Sequence, residues 1–123
     1  LGPRVLARAR GWVTAEDGYL RLLAGELLAR LGEPVDGPTL VRLLDAAVDD
    51  GDWLSTEALA IGLGRLGETA AIPSLTRAWA ETLHSHARAD YLRSLVALGA
   101  DDLPSFHAEA VDDCESEVRE LVP

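Results

Sequence analysis

Two imidazoles, His84 and His86, stand on either side of Ser85, and His107 and the single cysteine, Cys114, follow further along the chain. Nitrogen and sulfur donors of this kind could ligate a metal. The spacing argues against it: ligands on one helical face stand three or four residues apart, not two. The stretch reads instead as a polar turn between two helices, with Ser85 or His86 near a helix start. No metal site, catalytic residue or cofactor is assigned.

Carboxylates are the other chemically able groups. They crowd in clusters: Glu16-Asp17, then Asp49-Asp50 with Asp52, then Asp112-Asp113 with Glu115 and Glu117. No D-x-D-x-D-G loop is present, so calcium is not implied. No pair is placed for acid–base work. G-x-S-x-G, phosphate-binding and dinucleotide-binding glycine patterns are absent, and Gly62-x-Gly64 with Gly67 follows no strand signal. Single carboxylates in these clusters suit helix capping and helix N-termini. Taken together, Asp49, Asp50, Asp52, Asp112 and Asp113 could form an acidic edge that attracts a basic partner.

The charge balance points the same way. Eleven Lys+Arg, all of them arginine, face 21 Asp+Glu for a net charge of −10 over 123 residues. That balance repels phosphate backbones and anionic lipid, so neither nucleic acid nor membrane is an expected partner. No apolar run reaches the roughly 18 residues that span a bilayer. A single cysteine excludes an internal disulfide and fits a reducing, cytoplasmic setting. At 48% hydrophobic residues the chain can build one continuous core, so residues 1–123 read as a single domain.

The elements that position these groups are legible from a repeat. LGRLGETAAIPSL at 63–75 has relatives in LARLGEPVDGPTL from Leu28 and LVALGADDLPSF from Leu95. Each holds an L-x-x-L pair, then Gly32, Gly67 or Gly99, then Pro38, Pro73 or Pro104. Leucines three apart share a helix face. A glycine just past them can take the left-handed conformation that closes a helix, and a proline suits the first turn of the next. Apolar periodicity predicts helices over 3–13, 17–31, 38–48, 53–66, 72–83, 86–98 and 103–111, with a last, incomplete one around Val118, Leu121 and Val122. The stripe of 53–66 is taken as Leu54, Leu59, Leu63 and Leu66. Trp79 falls on an apolar stripe and belongs to the core, and Trp12 and Trp53 lie near helix ends. No strand signal occurs.

With LGRLG (63–67), AIPSL (71–75) and SEVREL (116–121), the chain resembles the HEAT-repeat family, particularly its short bacterial form. The resemblance implies an all-α fold, a right-handed α-solenoid of about three and a half helix pairs. The plain alternative is a bundle of six or seven helices. The resemblance also implies a ladder of hydrogen bonds between adjacent repeats. Its positions here would be Arg21, Thr56, Arg88 and Arg119, with Asp17, Asp52, His84 and Glu115 four residues before them. Iron-binding members carry His-Glu pairs, and this chain has none.

In such an array the second helices line a concave face. The positions off their buried stripes are Glu26, Arg30, Glu57, Arg65, Asp90 and Arg93, alternating in sign. The expected function is a non-catalytic protein-binding scaffold that uses this face and the acidic edge, neutralising a basic partner. The alternatives within the resemblance are a lyase or chaperone for a bilin-carrying protein and, less supported by the charge, a DNA glycosylase. The absence of Met, the opening Leu1-Gly2-Pro3 and the abrupt last helix suggest a piece of a longer solenoid. Val118, Leu121 and Val122 would then be a poor cap, open to further repeats or to self-association through the C-terminal end.

Overall fold

A computed structural model describes residues 2–82 and 85–123. Among these the fold is all-helical. Eight α-helices follow one another: α1 (Gly2–Trp12), α2 (Gly18–Leu31), α3 (Gly37–Asp50), α4 (Trp53–Leu66), α5 (Ile72–Glu81), α6 (Ser85–Ala97), α7 (Leu103–Ala110) and the short α8 (Ser116–Arg119). Single 3₁₀ turns at Pro34–Asp36 and Thr69–Ala71 lead into α3 and α5. The predicted elements stand within a few residues of these bounds. Leu83 and His84 lie outside the described residues, so the last predicted turn of 72–83 and the His84 rung are not placed.

The helices pack against the next helix in sequence and against the one after it. α1 packs on α2, α3 on α4 and α5 on α6, while α2 meets α4, α4 meets α6, α6 meets α8, and α3 meets α5. The core follows the first leucine of each L-x-x-L pair, since Leu28, Leu63 and Leu95 are fully buried. The second leucines are not equivalent: Leu31 is 52% exposed and Leu98 only 8%. Leu54 is 72% exposed, so it does not belong to the buried stripe. Thr56, Leu59, Ala60 and Leu63 form that stripe instead. Leu54 precedes Thr56 by two residues, which turns it to the opposite side of the helix.

Small residues set how closely the second helices approach. A Cβ at Gly62 would lie 2.6 Å from the Ala29 Cα of α2, and one at Gly64 would lie 2.7 Å from the Ser94 Oγ of α6. Ser94 uses that closeness to donate to the Ala60 carbonyl at 2.6 Å. Each glycine costs helix stability of roughly 1 kcal/mol. Here the cost is offset by contact with a neighbour on each side.

Helix closure departs from the repeat at one point. Gly67 and Gly99 take the left-handed conformation, with φ of 68° and 71°. Gly32 is extended, with φ −64° and ψ 166°. The carbonyls there are satisfied from outside: Arg65 of α4 donates to Ala29 O at 3.1 and 3.0 Å, to Gly32 O at 3.0 Å and to Leu28 O at 3.4 Å. A guanidinium at a helix C-terminus also meets the negative end of the helix dipole.

At the C-terminal end Val118 is fully buried, and Leu121 and Val122 pack half-buried against the core. Of the apolar trio expected to lie open at this end, Val118 is covered by the chain itself and Leu121 and Val122 are partly covered.

Candidate functional site

The ladder positions come first, because they hold the surface in place. Arg21 donates to the carbonyls of Ala15 at 2.5 Å and Glu16 at 2.8 Å. Arg119 does the same to Asp113 at 2.7 Å and Cys114 at 3.0 Å. Each arginine thus ties its helix to the turn just before it, within one pair. Asp17 accepts from Tyr19 N at 2.9 Å, and Asp52 accepts from Ser55 N at 3.4 Å and from Ser55 Oγ at 2.6 Å, so both cap their own helices. Among the described residues, two of the ladder positions make bonds that cross between pairs. Thr56 Oγ1 pairs with the Tyr91 hydroxyl in the core. Arg88 donates from Nε to Asp113 at 2.7 Å and stacks 3.7 Å over the Trp79 ring.

The acidic edge resolves into committed and uncommitted groups. Asp49 pairs with Arg77, and Asp52 is the α4 cap. The Asp113 side chain is only 6% exposed. Burial pushes its carboxyl up, but the Glu115 N–H and Arg88 outweigh that and leave it below the usual carboxylate range. Asp113 is therefore a structural ion-pair partner and drops out of the proposed ridge, because a contact surface needs exposed carboxylates. Asp50 and Asp112 remain exposed. The same division applies at Asp36, which sequence reasoning passed over. It is 4% exposed and takes a forked contact from Arg10 at 2.8 and 2.9 Å. Arg10 and the Glu33 N–H hold its carboxyl below the usual range against the opposing effect of burial.

Of the six positions expected on the face of the second helices, three come together. Arg65, Asp90 and Arg93 line a shallow groove of ≈ 300 Å³ between α4 and α6, with Ile61 and Ala97 as apolar neighbours. Arg93 reaches Asp90 at 3.3 Å and Glu117 at 3.5 Å. Partial burial, and then the charge of Glu57, raise the Asp90 carboxyl above its ordinary range. Arg30 is exposed on α2. Glu26 lies elsewhere, on the wall of a second cleft.

That cleft, of ≈ 510 Å³, opens between α2 and the α3–α4 hairpin. Gly25, Leu43, Ala47 and Leu59 supply apolar lining; Arg21, Glu26, Asp50, Asp52 and Ser55 supply polar lining. Val13 before α2 and Asp50 and Asp52 at the α3–α4 turn also line it, so the acidic cluster of that turn opens onto the cleft.

No protein-family model, curated protein or solved structure matches the chain. The site must be judged on its own chemistry.

Among the described residues, no group of three or more His, Cys, Asp or Glu is placed to hold a metal. His86 lies 3.4 Å from Glu115, and Cys114 is exposed. No described helix is long and apolar enough to cross a membrane. Trp79 is 2% exposed, whereas Trp12 and Trp53 are half-buried against the core. Sequence reasoning missed Ile61, which is 54% exposed on α4, and the larger cleft. Ile61 had a visible signal, an apolar residue standing off its helix's buried stripe. The cleft had none, because it arises from what Gly18, Gly25, Ala46 and Ala47 leave unfilled.

Proposed function

We propose that the helix pairs stack as a right-handed, HEAT-like α-solenoid and that the protein is a non-catalytic binding module for a basic protein partner. The face used is the exposed side of α2, α4 and α6, together with the exposed carboxylates of the turns. The succession of α2, α4, α6 and α8, each meeting the next, supports the stacked arrangement. The observation that carries the binding reading is Ile61. It is an exposed branched apolar side chain in a groove edged by Arg65, Asp90 and Arg93, the mixture of apolar centre and charged rim found at protein interfaces. The net charge of −10 sets the sign of the partner and would speed its encounter. The same charge gives no support to a glycosylase role, which needs a basic surface along a phosphate backbone.

The test is affinity capture from cell extract with the native chain and with Ile61→Arg, followed by mass spectrometry and a salt series on the recovered partner. A basic protein retained by the native chain, released by the variant and bound more slowly as salt rises is the expected result. An acidic partner, or equal retention by both baits, would count against the reading.

A further inference from the structure

Resting on that reading, we propose that the cleft between α2 and the α3–α4 hairpin is the anchor pocket of the interface: it takes an apolar side chain from a cationic segment of the partner, whose neighbouring arginine or lysine meets Asp50. At ≈ 510 Å³ the cleft lies in the roughly 300–1,000 Å³ range of pockets that hold ligands. Its deep wall is apolar and preformed, since Gly25 and Leu59 are buried and Leu43 is half-buried. Its rim carries three carboxylates, Glu26, Asp50 and Asp52, against one guanidinium, Arg21. The guanidinium is already held by the Ala15 and Glu16 carbonyls. Asp52 is fixed by its bonds to Ser55. An apolar wall bounded by net negative charge rejects acidic segments and fits an amphipathic basic one.

Asp50 gives the independent sign of an occupant. It stands in the last turn of α3, a helix with no basic residue in that turn. A carboxylate there faces the negative end of the helix dipole, which is unfavourable. Its neighbour Asp49 is offset by Arg77. Among the described residues, the Asp50 side chain makes no such bond. A cation seated at the mouth of the cleft supplies the missing counter-charge.

The experiment is an NMR titration of the ¹⁵N-labelled chain with the amphipathic cationic peptide LRRLLRRL, acetylated and amidated. SRRSSRRS serves as the polar cationic control and LEELLEEL as the acidic one. The expected result is saturable movement of the Gly18, Gly25 and Ser55 amides with the first peptide, and binding weaker by about tenfold with either control. Ala46→Trp, which fills the cleft from an exposed position, and Leu22→Ser, which thins its wall, each weaken the first peptide by about tenfold while circular dichroism stays unchanged. Asp50→Asn weakens the cationic peptides alone. Unchanged affinity in the folded variants, an equal response to LEELLEEL, or shifts centred on Ile61 and Arg93 would overturn the pocket. That last outcome leaves the binding-module reading standing. Failure of both cationic peptides to bind anywhere at low salt removes both.

Discussion

The seam between the first and second helix pairs and the seam between the third and fourth are built from different materials. At the later seam a large ring fills the space. Trp79 meets Phe106 edge-on with centroids 6.1 Å apart, donates to Glu109 at 2.6 Å and lies under Arg88. At the earlier seam the contact is made by backbone and by charge. Gly62 rides on Ala29, Arg65 caps α2, and Arg10 grips Asp36. The two devices leave different surfaces. Aromatic filling takes up the space beside α5, where Trp79 is 2% exposed and Phe106 5%. Small residues and long guanidinium arms fix the spacing of α2 and α4 and leave ≈ 510 Å³ unfilled beside them.

Variants can break that contrast or sharpen it. The largest effect is expected from Trp79→Ala, which removes the filler of the later seam and costs about 4 kcal/mol by chemical denaturation. A loss as small as that of a surface substitution would show the two seams to be alike. Asp113→Asn should cost about 2 kcal/mol at pH 7, less than a fully buried pair because Arg88 is 19% exposed. Because the folded carboxyl is held below its unfolded value, this contribution is present above the unfolded pKa and lost as pH falls through the folded one. The difference between native and variant melting temperatures should therefore close below about pH 4.

The glycines of the earlier seam divide by the room around them. Gly62→Ala drives a methyl group into the backbone of α2 and should destabilise by about 2 kcal/mol. Gly25→Ala meets only Leu43 and Leu59 side-chain atoms at 3.5 Å. It should stabilise by about 0.7 kcal/mol through helix propensity. Equal effects in thermal melts would mean that close approach does not set the seam. The smallest effect is expected at Asp90, whose folded carboxyl is raised by burial and by Glu57. Its ionised form is disfavoured in the fold, so the penalty exists at neutral pH and vanishes below the unfolded pKa. Asp90→Asn should stabilise by about 0.5 kcal/mol at pH 7 and by nothing near pH 3.

The sequence was informative where one residue type has one local job. Leu63, Leu66 and Gly67 spell a helix end, and the α4 bounds of Trp53–Leu66 coincide with the expectation. It was misleading where the job depends on a distant partner. Gly32 looks like Gly67, yet Arg65, 33 residues on, removes the need for a left-handed closure. Leu54 reads as core by hydrophobicity alone, and only the phase set by Thr56 and Leu59 turns it outward. For the surface, the six positions expected on one face divide in the structure: Arg65, Asp90 and Arg93 line one groove, and Glu26 lines another cleft. The charge pattern could not reveal that Asp113 is consumed by Arg88, because that pair is 25 residues apart and is joined only by packing.

The two glycines of α4 have a mechanical consequence. They stand two residues apart, roughly 200° around the helix, so each faces a different neighbour. Any rotation of α4 about its own axis would swing one smooth spot away from its partner and drive a bulkier side chain into the space. A tug on α2 must then be passed to α6 as a rigid shift of the whole rod, with no twist absorbed on the way.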